Sequence, residues 1–516
     1  MAILGPVLNR VLELQKTIPT VRKKKNPFKT QHSTLVKLLK KSHNTSFGRA
    51  YKFNDIVNST NVLKTFQRSV PVYDYNKIYK EWWHKTIAGE VDVCWPGKVK
   101  YFALSSGTSE SSSKYIPVTT SMLKAIKRAG VKQILTLVNY EIPEDLLNKG
   151  FLMIGGSTKL NKKESYAEGD LSGITTGNIP FWFQQFYKPG KEISAEKDWT
   201  TKIEKIVESA PTWDIGVICG VPAWIQIVLE KIIKRYNLKT IHDMWPNMKI
   251  YVSGGVSFEP YRTAYEKLFE KPVYYIDTYL ASEGFMAFQT RPQTKSMQLI
   301  LNNGIFFEFV PFTDENFDAE GNIIENPEVL LINQVEEGKD YALLISTCSG
   351  AWRYLIGDTV RFTDKDRAEI VITGRTKHYL SLCGEHLSVE NMTTAINKVA
   401  AELNFEVPEF AVSGIKHDGM FAHRWYLGTN AKNLDAQQVK TMLDAALKEV
   451  NDDYAVERIS ALKDVFVEII PLEHFYGWMR SRGKEGGQNK FPRVLKNSQI
   501  TEWESFLTQN NITISK

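Results

Sequence analysis

Nine consecutive positions, Ser105 to Ser113, hold six serines, one threonine, one glycine and one glutamate, and Lys114 follows them. Coming after the apolar run "VKYFAL", such a stretch can wrap a triphosphate, because hydroxyls and backbone N–H groups donate to its oxygens. It is not a Walker A loop, since GxxxxGK[ST] is absent. A polar surface linker has the same composition, so the loop alone leaves the choice open.

Three shorter stretches carry groups that would complete a nucleotide site. In "DTYLASEGF", Tyr279 precedes Ser282 and Glu283 at a strand end, where a carboxylate can hold Mg2+ bound to phosphates. In "WRYLIGDTVRF", Asp358 follows Gly357 in a turn, and its carboxylate can accept from both hydroxyls of a ribose. In "VITGRTKHYL", Arg375 follows Gly374, and its guanidinium can reach ligand oxygens. Each has a plainer reading too: a surface acid beside a core tyrosine, a turn aspartate, a structural arginine.

The elements that would position these groups follow from periodicity. Residues 1–90 read as helical, with polar interruptions. From about residue 98, short apolar strands alternate with amphipathic helices: "VKYFAL", a helix near 120–138, "GFLMIGG", "DIGVICG", a helix at 222–236, "MKIYVSGG" and "PVYYIDTYL". That alternation, with glycine at strand ends, describes an α/β domain whose ligands sit at the strands' carboxyl edge. Segment 294–373 changes to strands and short turns, including "EVLLINQV", and suggests an antiparallel or barrel-like sheet. After it comes helix, strand, strand, helix, strand, enough for a separate α+β domain. The expectation is a large domain over 1–376 with a barrel-like β segment, and a small mobile domain over 377–516.

In order and spacing together, SSGTSxxxxKxIP, then YxxSE, then YxxGD, then GR before a small C-terminal domain resemble the acyl-adenylate-forming superfamily. Within it the chain resembles the auxin-responsive acyl acid amido synthetases, over almost its whole length. "SFGRAYKF", "SVPVYDYNKI", "GVPAWIQIVLE" and "NKFPRVLKN" match that pattern as well.

The resemblance implies roles residue by residue. Ser105, Ser106, Thr108 and Ser109 would hold the ATP phosphates, with Lys114 closing the loop, and Glu283, after Ser282, would ligate Mg2+. Tyr279 would lie against the adenine, over a floor of Ser253, Gly254 and Gly255. Asp358 would bind the ribose, and Arg375 would sit near the ribose or α-phosphate. In the glycine-rich stretch "GKEGGQNKFPR", Lys490 would reach over to the α-phosphate and the acyl carboxylate. Trp182, Phe183, Phe186, Val221, Trp224 and the helix carrying Arg128 would supply an acyl pocket. The implied reaction joins a carboxylic acid to an amino acid through an acyl adenylate, with ATP and Mg2+ and rotation about a hinge near Lys377. An acid–thiol ligase making acyl-coenzyme A shares the first half-reaction and stays open. A nucleotide-binding protein without catalysis is a further alternative, although binding alone would not need Glu283, Asp358 and Lys490 together.

Composition narrows the classes. The charge of +7 is spread over 516 residues, and the basic run "VRKKKNPFKT" is local, which does not suit a nucleic-acid partner. No GxSxG, HExxH or CxxC signature is present, and the four cysteines read as reduced thiols in a cytoplasmic protein. "MAILGPVLNRVLEL" reads as an amphipathic helix rather than a signal peptide, and no apolar run is long enough to span a membrane. A monomer is expected.

Overall fold

Four of the N-terminal helices begin on a side chain that caps them. Asn26 accepts from Lys29 N, Thr45 from Gly48 N, Asn61 from Lys64 N and Asp74 from Lys77 N, each satisfying an amide the helix cannot. The computed structural model describes residues 26–105, 114–143, 145–255, 258–318, 321–376, 380, 385, 387–417, 420–458, 462–486, 489–495 and 498–514. The helical expectation holds from Pro27 to Ile87; "MAILGPVLNRVLEL" lies outside the described residues.

Among the described residues the large domain is built on one eleven-stranded sheet. Its parallel half runs Tyr187–Lys188, Gly150–Met153, Ile215–Gly220, Ile250–Gly254 and Tyr274–Ala281. The strand Tyr274–Ala281 then turns back through a hairpin into Gly284–Phe288. From there the sheet is antiparallel: Met297–Leu299, Glu369–Arg375, Tyr354–Asp364, Asp340–Thr347 and Ile305–Pro311.

The barrel-like reading of 294–373 is therefore corrected. These strands end an open sheet, and no barrel closes. Short antiparallel strands read alike in either architecture; what decides is the partner of the edge, and here it is a helix. Ile305–Pro311 is covered by Pro27–Ser42, whose buried Gln31 donates to the carbonyls of Leu301 at 2.7 Å and Ile305 at 3.0 Å. The same side chain accepts from Phe307 N at 2.7 Å, so an edge that would otherwise present free backbone groups is satisfied. Leu35, Leu38, Leu39, Phe47 and Phe53 pack with Phe306, Phe307 and Trp352 in the core beneath.

Two strand expectations also change. "EVLLINQV" forms only an isolated bridge, Leu330 to Phe309, before turning with Gln334 accepting from Leu331 N at 2.8 Å. The segment "VKYFAL" is a strand, Tyr101–Ser105, but it lies outside the main sheet. It pairs with Lys114–Val118 and Ala167–Gly169 in a separate four-stranded sheet.

The C-terminal domain has a four-stranded sheet ordered Leu462–Pro471, Met420–Thr429, Glu409–His417 and Val494–Leu495. Alternation along the strands sends Phe410 and Val412 to one face and Ala411 to the other. The first face is covered by Val389–Glu402 and Ala436–Val450, the second by Leu472–Ser481 and Ser498–Gln509. The α+β reading holds; the last two helices were not foreseen. No described helix is long and apolar enough to cross a membrane.

Candidate active site

The parallel strands bring their carboxyl ends to one edge, and Ile250–Gly254 delivers the first part of the site there. Ser253 is buried, and its carbonyl accepts from Thr278 Oγ1 at 2.7 Å. A Cβ on Gly254 would stand 2.8 Å from that hydroxyl, so only glycine permits this approach. Gly255 has φ +91°, open to glycine at little cost, and turns its carbonyl toward the C-terminal domain.

Ser282 and Glu283 form the two-residue turn between the two central strands of the sheet. Glu283 is only 7% exposed. Burial and then the Asp358 charge push its carboxyl up to about 7, against a weaker pull from Arg375 and Lys114. Asp358 pairs in register with Arg375 on the neighbouring strand, just after Gly357 at φ +89°. Its Oδ1 meets Arg375 Nε at 3.0 Å and its Oδ2 accepts the phenol of Tyr279 at 2.5 Å. Tyr279 buries its ring in the large core, as the plainer reading had it, while its bond to Asp358 was not foreseen. Arg375 is held firmly protonated, first by Asp358, and donates to the Ile356 carbonyl at 3.2 Å.

The strands on either side of the serine-rich stretch reach this same region. Ser105 and Lys114 are the last paired residues of the hairpin that carries it; Ser106, Thr108 and Ser109 lie outside the described residues. Lys114 lies over the Tyr75 ring, 5.3 Å from its centre, and its charge reaches Glu283.

Lys490 comes from the other domain. Its ammonium donates to the Gly255 carbonyl, and its stem approaches so closely that a Cβ at Gly255 would be 3.3 Å from Cε. The side chain as a whole is exposed, while crowding around its ammonium and then the Arg375 charge lower its pKa to about 8. The loop before it is seated on two tryptophans of the large domain. Gly486 lies against the Trp199 indole, and Trp224 Nε1 donates to the Asn489 carbonyl at 3.3 Å. Tyr476 packs on Trp224 with ring centres 5.7 Å apart.

The candidate acyl-pocket residues fall into two groups. Phe183 and Phe186 pack with Phe151, Val217 and Ile250 on one face of the parallel sheet, next to Trp182 and to Ile134 and Leu135 of the helix Thr120–Thr136, which carries Arg128. Val221 and Trp224 belong to the core on the opposite face and to the seat of the Lys490 loop. The sheet divides residues that the sequence had grouped, because alternate positions of Ile215–Gly220 point to opposite sides.

Among the described residues no three His, Cys, Asp or Glu side chains gather to hold a metal. A single buried carboxylate such as Glu283 suits Mg2+ that brings phosphate oxygens with it. The glycines at 254 and 255, the donors near Lys114 and Arg375 and the acceptor at Asp358 suit a nucleotide lying across the sheet edge.

Family models match along the chain in three parts. The GH3 family N-terminal domain matches residues 20–203 and 157–273, the central domain 298–375 and the C-terminal domain 390–499. The chain belongs to the GH3 family. Among GH3 relatives, the indole-3-acetic acid-amido synthetase GH3.4 of Arabidopsis thaliana is 21% identical, over 92% of this chain and 90% of that one. Jasmonoyl–L-amino acid synthetase JAR6 of Nicotiana attenuata is 23% identical over 93% of each. Among solved structures, the GH3.15 acyl acid amido synthetase superposes with a TM-score of 0.75 at 18% identity over 96% of both chains. A 2-hydroxyisobutyryl-CoA ligase reaches 0.60 at 12% identity over 96% of this chain and 93% of that one, so the two share a fold.

Proposed function

We propose that this GH3 protein is an ATP-dependent acyl acid amido synthetase that joins a carboxylic acid to the amine of an amino acid. In the first half-reaction a carboxylate oxygen attacks the α-phosphorus of ATP, and pyrophosphate departs with the electrons of the broken P–O bond. In the second, the amine nitrogen attacks the acyl carbon, AMP leaves with the C–O electrons, and the nitrogen sheds a proton.

The observation that carries this reading is the meeting of Lys490 with Gly255, beside the Asp358–Arg375 pair and near Glu283. An ammonium there offsets negative charge as it builds on the α-phosphoryl group. Asp358, with two lone-pair positions engaged, keeps others for ribose hydroxyls. Glu283 would hold Mg2+, which supplies countercharge to the phosphates. No protein nucleophile enters: burial pushes the thiols of Cys219 and Cys348 up to about 12, far from the thiolate form. The acid this reading favours is apolar or aromatic. Rotation of the C-terminal domain about a hinge near Lys377, which lies outside the described residues, would separate the two half-reactions. Free Cys94, Cys219 and Cys348 suit a reducing cytoplasm.

The test is a panel of carboxylic acids scored for acid-dependent exchange of labelled pyrophosphate into ATP, then for product with amino acids or coenzyme A. An N-acyl amino acid is expected. A thioester without any amide would assign the protein to the thiol ligases, and ATP binding without exchange would assign it to non-catalytic nucleotide binders.

A further inference from the structure

The face of the large domain that receives the Lys490 segment carries a buried hydroxyl that the reaction above does not use. Tyr261 ends the single helical turn Glu259–Tyr261 and packs its ring with Tyr251, Phe258 and Tyr265, leaving 1% exposed. Its hydroxyl donates out of that core to Glu409 Oε1 of the C-terminal domain at 2.6 Å. Glu409 is itself buried, and its other oxygen accepts from Arg493 Nη1 at 2.7 Å. That nitrogen also donates to the Phe410 carbonyl at 3.0 Å. Arg493 stands three positions after Lys490, in the segment whose place decides where the ammonium lies. A cavity of about 20 Å³ beside the contact is lined by Trp224, Tyr261, Tyr476, Lys490 and Arg493.

The division of partners between domains is informative. Glu409 and Arg493 both belong to the C-terminal domain, so their charges stay paired when that domain moves. Within this trio only the phenol's hydrogen bond crosses the boundary, as those of Lys490 to Gly255 and Trp224 to Asn489 do elsewhere along it. Opening therefore exposes a pair already neutralised, together with one hydroxyl that water can satisfy. A buried ion pair split between domains would instead leave lone charges and resist opening. One hydrogen bond to a carboxylate is strong enough to bias closure and weak enough to release.

We propose that Tyr261 is a positioning residue for adenylation: through Glu409 and Arg493 its hydroxyl sets where the C-terminal domain stops, and so where Lys490 stands. This rests on the amido synthetase reading. In Tyr261→Phe the ring packing is kept and only the donor is lost. Pyrophosphate exchange should slow roughly tenfold, within the range for losing a hydrogen bond to a charged acceptor. Aminolysis of a supplied acyl adenylate should stay within about twofold, and the thermal midpoint should fall only by the modest amount one buried hydrogen bond supports. Glu409→Gln, which keeps an acceptor for Tyr261, should lose less exchange than Glu409→Leu. Wild-type exchange run alongside keeps the two ideas apart, since its absence with every acid removes the function itself. Exchange in Tyr261→Phe equal to wild type overturns the positioning role, and so does an equal slowing of both half-reactions.

Discussion

Tyr279 and Asp358 lie 79 positions apart in sequence, yet the phenol donates to the carboxylate at 2.5 Å. Arg375 holds the other carboxylate oxygen, so Asp358 is fixed from two sides before any ligand arrives.

Asp358→Ala should act on both fold and substrate. It strands the buried Tyr279 hydroxyl and the Arg375 guanidinium, and should cost about 1–3 kcal/mol in denaturant unfolding. Tyr279→Phe removes only the donor and should cost less. If Asp358 also accepts from the ribose, KM for ATP should rise at least about tenfold in Asp358→Ala, the scale of an unmade hydrogen bond to a charged group. In Tyr279→Phe it should rise far less; equal KM values in the two variants would show that Asp358 has only a structural part.

Glu283 should tax stability at neutral and alkaline pH. Its carboxyl rises from 4.5 in the unfolded chain to about 7 in the fold, so the folded state holds the proton more tightly. That contribution is fully present below about pH 4.5 and is lost as pH climbs through about 7. Glu283→Gln removes the penalty. With a chelator present, the variant should match wild type near pH 4.5 and exceed it at pH 8 by up to about 3 kcal/mol. Pyrophosphate exchange should nonetheless fall by about 10²–10³, as expected for a lost electrostatic contact at the reacting centre. A variant no more stable than wild type at pH 8 would contradict the buried charge.

For Lys490 the sign is opposite. Its pKa is lowered to about 8, so the ammonium is lost as pH rises through that value. Adenylation should show an alkaline limb near pH 8, and Lys490→Arg, which stays protonated, should lack it whatever its absolute rate. Lys490→Ala should cut adenylation by at least about 10² and spare aminolysis. Lys484→Ala, on the same loop but without a contact to the site residues, should stay within about threefold.

Gly486→Ala tests the seat of the loop. A methyl there would stand 2.2 Å from Cδ2 of Trp199, at a backbone φ of +76°. The loop cannot seat without moving, and adenylation should drop by about 10² or more, the cost of a displacement near 1 Å. Adding Trp199→Leu should recover part of the loss. A double variant no better than the single one would place the strain in the backbone rather than at the indole.

What could be read in advance follows a physical boundary. Glu283, Asp358 and Arg375 are held by local turns and adjacent strands, so residues singled out from short stretches of sequence do come together. The strands with glycine at their ends were legible for the same reason, as were the first two large helices of the C-terminal domain, Val389–Glu402 and Ala436–Val450. Tyr261 with Glu409, and Trp224 with Asn489, meet across 148 and 265 positions between two domains, and no periodicity encodes such a meeting. Trp224 shows the difficulty well. An aromatic on a helix after a strand signals burial, but not which side of the sheet it serves or whether its neighbour is a ligand or the other domain.

Gln31, which seals the edge strand, is 270 positions from the Leu301 carbonyl it binds. During synthesis the helix that carries it leaves the ribosome long before that strand exists. At about 5–20 residues per second, roughly 15–50 s pass between the two. Through that interval the apolar faces of Leu35, Leu38 and Phe47 have no sheet to rest on, so nascent chains should depend on chaperones early, and stalling before residue 300 should leave products prone to aggregation.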